Sequence, residues 1–481
     1  MNTHRYIARI VLQAKTALFV GSGEHSLLKD AIVQKDYLGL PMIQGTSLSG
    51  VLSHIFLDKY DFESFDKEKE EIVKLWGYQL SGNQLKAYQE FYQERLGKEV
   101  PEDEIPKGYG SRIRISSAYM QYKNDTVAEG ELNDEVEKLI QKFSELPSRQ
   151  HVRITEKGVA TDKGLFNNEV VYAGTRFIFE IELIGTEADK DIWGSIIEEI
   201  KKPTFRIGQG TRKGYGNLEV VKLAQRVYDL TTEEDFRDYT NFDPLLNAEN
   251  VGLELKEVVN TDSTYTYQLK LKPDMFFIFS SGSGDKEVNN KPVEEITVHY
   301  TDEGLGYKTK TLIPASSIKG ALSHRVAFYY NKLNGFFTGN PNTKTDTENP
   351  AVRELFGFEA QGQEGKRGVV VIDDLYYSNE VDNNKILNHV AIDRFTGGAM
   401  DSALFSEKVS HFKDENAEII LNVNLEKLDF DEPTVIEALE AALKDICKGL
   451  LPLGGMTTKG HGIFTGTLYN NEEKIYEYQQ N

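Results

Sequence analysis

The chain has 481 residues, 39% of them hydrophobic and 11% aromatic, which implies two or more folded domains and excludes a disordered or fibrous class. One cysteine, Cys447, rules out an internal disulfide, and Met1-Asn2-Thr3-His4-Arg5 leads into no long apolar run, so neither signal nor anchor is expected and the expected location is cytoplasmic. Asp and Glu outnumber Lys and Arg by 76 to 55, a net charge of −21 that excludes a uniformly basic nucleic-acid binder and confines any polyanion site to a local patch.

In chain order, an alternating apolar strand is predicted over Tyr6 to Val20, closed by Gly21-Ser22-Gly23. Leu48, Val51, Leu52, Ile55 and Phe56 then fall on one face of a helix, with Thr46 or Ser47 as its N-cap. Asp61 to Glu71 reads as a charged helical stretch. Strands follow at Arg112 to Ala118, Arg176 to Ile184 and Leu218 to Leu223, with a helix over Ala188 to Ile200. Between that helix and the last strand lies a glycine turn, Gly208-Gln209-Gly210-Thr211-Arg212-Lys213-Gly214-Tyr215-Gly216.

After an acidic linker at residues 229–264 the same order restarts. A strand over Tyr265 to Phe279 leads to Ser281-Gly282-Ser283-Gly284, then to a helix capped by Ser316 or Ser317 whose apolar face is Ile318, Ala321, Leu322 and Val326. Strands at Gly368 to Leu375, Ala417 to Val423 and Ile463 to Leu468 follow, and a helix over Thr434 to Lys448 precedes a second turn, Gly454-Gly455-Met456-Thr457-Thr458-Lys459-Gly460-His461-Gly462. Leu75-Trp76-Gly77-Tyr78 answers to Leu355-Phe356-Gly357-Phe358, and His151 to Val171 answers to His389 to Val409. Five landmarks in one order define an internal repeat, with modules at residues 1–228 and 265–481. Each module's strand and helix order is that of a ferredoxin-like sheet with one open face, the plan of RNA-recognition domains.

The repeated chemistry is that of anion binding. Helix N-termini carry unpaired N–H groups, so Thr46, Ser47, Ser49, Ser316, Ser317 and Lys319 are candidate phosphate contacts. Gly208, Gly210, Gly214 and Gly216 permit close backbone approach with Arg212 and Lys213 adding charge, and Gly454, Gly455, Lys459, Gly460 and Gly462 repeat the pattern. Lys201, Lys202 and Arg206, with Arg112, Arg114, Arg149, Arg153 and Lys157, are expected to make one face basic, although solvated surface explains any single run as well. His54 and His324 stand at matching helical positions, where a hydrogen-bonded structural histidine is the plainer reading and a phosphate contact the other. No cysteine or histidine spacing suggests structural zinc, and no phosphate-loop motif suggests an ATPase.

The segments Pro41-Met42-Ile43-Gln44-Gly45-Thr46-Ser47-Leu48-Ser49-Gly50 and Leu312-Ile313-Pro314-Ala315-Ser316-Ser317-Ile318-Lys319-Gly320, with both glycine turns, resemble the repeat-associated mysterious protein (RAMP) superfamily, the RNA-binding subunits of CRISPR effector complexes. Gln44, Ser49 and Ala315 depart from that family's pattern. Two modules in one chain are similar to the fused backbone subunits of type III complexes, especially subtype III-D. The resemblance implies an α+β chain of two tandem ferredoxin-like (RRM-like) RAMP domains with inserted thumb hairpins. It further implies guide RNA, complementary target RNA, other RAMP-type backbone subunits and a large polymerase-like subunit as partners, and no membrane. His151 to Val171, with Arg153, and His389 to Val409, with Arg394, match the thumb region by position.

The family's nucleases use a loop aspartate and a divalent metal to cleave target RNA by transesterification. Asp30 occupies that place, with Asp36 as its supporting partner and Mg2+ or Mn2+ held by Asp30 through water. In the second module Asn290 or Lys291 stands opposite Asp30, so only Asp285 or Glu294 offers a substitute there. A non-catalytic scaffold is one alternative. Another is a guide-processing ribonuclease using His25 and His54.

Overall fold

The computed structural model describes residues 2–479 except 26–28, 98–99, 102, 124, 131, 155–159, 259–265, 302–303, 338, 345–347, 359–364, 379–383, 415 and 428; side chains at 153–154, 160–163 and 402 are also outside the description. It is a mixed α+β structure. The first sheet has eight strands, and its central four are His4–Ala14, Ile113–Ile115 with Ala118–Lys123, Arg176–Gly185 and Leu218–Asp229. In space they run fourth, first, third, second, all antiparallel, with helices Gly45–Leu57 and Lys190–Lys201 following the first and third. The second sheet repeats this order with Phe464–Asn470, Tyr267–Pro273, Ile419–Leu425 and Val370–Ile372, and helices Ala315–Leu333 and Thr434–Cys447.

Element boundaries differ from expectation where polar chemistry is local. The two opening strands end early, at Ala14 and Pro273, since the residues beyond make isolated bridges such as Leu18 to Val171 instead of extending the ladder. Arg112 to Ala118 splits into two strands, and the charged helix runs Lys67–Trp76. The two serine-bearing helices begin two or three residues sooner than predicted: Gln44 and Pro314 hold the N-cap backbone positions, and Thr46, Ser47, Ser316 and Ser317 lie in the first turn. Their apolar faces are as the spacing predicted, with Leu48, Leu52 and Phe56 buried in one and Ile318, Leu322 and Val326 in the other.

His4–Ala14 is buried almost throughout because both faces of its sheet are covered. One face takes the helices. Over the other lies the acidic segment read as a linker, where Leu246 packs on Val11 and Ile178, and Leu253, Leu255, Tyr239 and Phe242 pack with Ile7 and Tyr228. Arg9, buried inside this sandwich, pairs with Glu180 at 3.0 Å and donates to the Asp243 carbonyl at 2.8 Å. Lys256–Glu257 then adds an edge strand to Leu218–Asp229. Burial of apolar side chains at 242–255 therefore removes the open sheet face expected of the first module.

A hairpin from the second half, Glu294–Thr301 with Gly304–Ile313, reaches into the first core. Ile296, Val298, Tyr300 and Leu305 join that core, Val298 N–H donates to the Ala173 carbonyl at 2.7 Å, and Tyr300 O–H donates to the Gln121 carbonyl at 2.9 Å.

Candidate nucleic-acid interface

The glycine turns are the same structure made twice. Gln209 N–H donates to Phe19 O at 2.8 Å, Gly216 N–H to Ala17 O at 2.9 Å and Ile207 N–H to Gly216 O at 3.1 Å; in the second copy Gly455 donates to Ile278 at 2.7 Å, Gly462 to Phe276 at 2.8 Å and Leu453 to Gly462 at 2.8 Å. Gly208 and Gly454 have φ of +91° and +94°, and a Cβ on either would overlap the carbonyl beneath it. These glycines therefore seat each turn on the segment just after its module's opening strand, and the N–H groups named here point into protein. Gly210 lies under the Tyr215 ring, whereas Gly460 faces open space.

What each turn presents outward is its lysine. Lys213 Nζ lies 4.5 Å above the Phe166 ring, and Lys459 Nζ lies 6.0 Å from the Phe405 ring. Both rings stand on the second strand of a hairpin, Ser148–Ile154 with Ala160–Glu169 or Lys385–Ile392 with Ala399–Val409. His151 stacks on Phe166 at 5.0 Å and His389 sits 6.1 Å from Phe405. Arg394 and the fully exposed Phe395 are in the turn of the second hairpin. The Arg153 side chain and Lys157 lie outside the described residues.

Beside each ring sits the loop residue singled out for catalysis. Asp30 is exposed, and its Oδ2 accepts from Asn167 N–H at 2.8 Å, next to Phe166 on the hairpin strand. In the second half Ser406 N–H donates at 2.8 Å to Asn289 Oδ1, and the parallel bridges Ala31 to Asn168 and Asn290 to Glu407 fix the register. Asn289, not Asn290 or Lys291, is thus the counterpart of Asp30. Asp285 accepts from Glu287 and Val288 N–H, which lowers its pKa, and its carboxylate shapes its own turn. Asp36 does the same through Leu38 and Leu40 N–H at 2.9 Å, while burial raises its pKa. Among the described residues no group of three or more His, Cys, Asp or Glu is placed to hold a metal ion.

The expected basic face is largely neutralised. Arg112 pairs with Asp189, Arg114 with Glu182, Lys201 with Glu198 and Lys202 with Glu199. Arg149, Arg206 and Arg212 reach acids of the second half: Arg149 grips Glu295 at 2.6 Å and also Asp374, Arg206 pairs with Asp373, and Arg212 with Glu426. Asp374 Oδ1 accepts the Ala315 N–H at 2.9 Å, so the protein's own carboxylate occupies the N-terminus of the second serine-bearing helix. Burial pushes the Asp374 carboxyl up against the pull of Arg149. The pairings of Arg149, Arg206 and Arg212 join distant segments and leave no mark in local sequence.

The same contact brings cations of both halves together. A Cβ on Gly214 would stand 2.8 Å from the Ala315 Cβ, so the first turn packs on the start of the second helix, where Lys319 lies one turn further on. Burial and the charges of Arg212 and Lys213 push Lys319 down to about 8. Ser316, Ser317 and Ser49 are half-buried, Thr46 is exposed, and His54 is exposed beside Asp58 at 3.6 Å. His324 is half-buried on the second helix. The described residues place the lysines of the two turns, Asp30 and both hairpins in paired settings, and leave His54 and His25 on solvent-exposed surface.

A family model described as "RAMPs: RAMP superfamily" matches residues 11–219 and 304–465, more than half of the chain. The chain belongs to the RAMP superfamily. No curated protein matches it. Among solved structures it is similar to a chain of "Type III-B Cmr-beta Cryo-EM structure of the Apo state" (17% identity, TM-score 0.29) and one of "Cryo-EM structure of the Type III-B Cmr-beta bound to cognate target RNA" (17%, 0.30), covering 44% of this chain and 96% of theirs in both cases. No helix among the described residues is long and apolar enough to cross a membrane.

Proposed function

We propose that this chain is a double-module backbone subunit of a type III CRISPR effector complex, most similar in plan to subtype III-D. It binds guide RNA and the complementary target, and cuts the target at Asp30. The observation that carries this reading is the duplicated pairing of a glycine-turn lysine with a hairpin phenylalanine, Lys213 with Phe166 and Lys459 with Phe405. A cation beside an aromatic face suits a phosphate and its base together. The repeated strand order agrees with two ferredoxin-like units, and the hairpins, with Phe395, Leu404 and Leu165 exposed, suit thumbs that part stacked bases. Neighbouring backbone modules and a large polymerase-like subunit are the partners.

Asp30 lies in a loop bound to the strand that carries Phe166, so a phosphate held at Lys213 would set a ribose near its carboxylate. Cleavage then follows attack of the 2′-hydroxyl on the adjacent phosphorus as the P–O5′ bond breaks, leaving a 2′,3′-cyclic phosphate and a 5′-hydroxyl that takes up a proton. Asp30 is the carboxylate that would hold a divalent ion, Mg2+ or Mn2+, here, and the ion would supply charge neutralisation at the phosphate. Asn289 offers no carboxylate at the second site. The scaffold reading is favoured by one fact, that Asp30 Oδ2 already accepts a backbone N–H. Asp30→Ala in the assembled complex decides between them: loss of a cut with binding retained supports the nuclease, and an unchanged cutting pattern refutes it.

A further inference from the structure

The second module lacks the acid at Asn289, yet a different acid is buried one residue away in the same register. Glu407, paired across the parallel bridge with Asn290, is fully buried on the second hairpin. One of its oxygens, Oε1, meets His389 Nε2 at 2.8 Å and His461 Nε2 at 3.1 Å. The other, Oε2, has no hydrogen-bond partner among the described residues, an arrangement that costs stability and is not expected of a purely structural carboxylate. In the first module the corresponding residues are Asn168 and Tyr215, and His151 Nε2 meets the Tyr215 hydroxyl where His389 Nε2 meets a carboxylate. At the matched positions the second copy carries its carboxylate on the hairpin, where the first has Asp30 in the loop, and a histidine where the first has a tyrosine.

Geometry gives this cluster a direction. With Glu407 ionised, both imidazoles donate Nε2–H to it, which fixes the tautomer that leaves Nδ1 of each ring as a lone pair. His461 is buried, while the His389 side chain is 35% exposed and stands next to Phe405, the ring beneath Lys459. The outward imidazole thus lies where the second lysine–phenylalanine pair would hold RNA.

We propose that the second module is a metal-independent ribonuclease site in which His389 is the general base and Glu407 and His461 are positioning residues. This rests on the RNA-binding reading above. His389 Nδ1 takes the proton of a ribose 2′-hydroxyl, the O2′–P bond forms as the P–O5′ bond breaks, and the departing 5′-oxygen takes a proton from solvent water. The products are a 2′,3′-cyclic phosphate and a 5′-hydroxyl. His389 then returns its proton to solvent.

The test uses the full chain assembled with guide RNA, carrying Asp30→Ala, with complementary RNA and excess EDTA. A cut with cyclic-phosphate ends is expected at a position distinct from the Asp30 cut. His389→Ala lowers its rate about 100-fold or more, and added imidazole restores part of it. Glu407→Gln slows it with target binding unchanged, and the rate of this variant no longer follows the pH profile of the parent. Absence of any metal-free cut while RNA stays bound, or a cut that persists in His389→Ala, overturns the assignment. If the RNA fails to bind at all, the RNA-binding reading falls first and this assignment with it.

Discussion

Arg149 is the residue on which the union of the two halves can be tested quantitatively. Its side chain is 6% exposed and serves two carboxylates of the second half, Glu295 and the fully buried Asp374, as well as the Tyr376 hydroxyl at 3.2 Å. Arg149→Met preserves the stem but leaves both acids buried without a counter-charge, a change worth about 3–5 kcal/mol. At about 2 cal/mol/K of unfolding entropy per residue, a cooperative transition of all 481 residues would fall by about 3–5 °C. Calorimetry of the full chain measures this. If the halves lose their coupling, the endotherm also splits in two. Adding Asp374→Asn recovers part of the loss, because the stranded charge is gone. A variant within 1 °C of the parent, with one undivided endotherm, would refute the claim that this cluster joins the halves.

Three further outcomes are expected. At pH 8 Lys319, with its pKa pushed down to about 8, is half-protonated in the free protein; a bound phosphate chain raises that pKa again, so binding takes up about half a proton. Affinity then falls as pH rises through 8, and titration calorimetry in two buffers of different ionisation enthalpy detects the uptake, which Lys319→Arg removes. Gly462→Ala, at φ +74° with the Leu453 carbonyl in the way of a Cβ, costs more than 2 kcal/mol in a denaturant melt, whereas Gly460→Ala, at φ +90° in open space, costs about 1 kcal/mol. Leu253→Asp on the covering segment exposes the first sheet and raises amide exchange along His4–Ala14, with no matching change in Tyr267–Pro273.

Much of the architecture was legible because it is written in periodicity and in a repeat. The apolar faces of the two serine-bearing helices, the helix Thr434–Cys447 and the strand Arg176–Gly185 follow from spacing alone, and the glycine turns were located by their duplication. What escaped was chemistry made by tertiary pairing. Arg206 and Arg212 look like phosphate contacts until Asp373 and Glu426 arrive from the other half. The acidic segment looks like a linker because its charges dominate its composition, although Leu246, Leu253 and Leu255 do the packing. Composition and spacing put Asn290 or Lys291 opposite Asp30 and give no sign of Glu407, since only the strand register matches Asn289 to Asp30 and Glu407 to Asn168.

The most direct test of the account is to load the assembled chain with guide RNA carrying photoreactive uridines and to map the attachment points by mass spectrometry. Adducts are predicted on peptides that hold Phe166 with Lys213 and Phe405 with Lys459, spaced along one RNA. Adducts confined to the covered sheet of the first module or to the acidic segment, with both lysine–phenylalanine pairs unmarked, would contradict it.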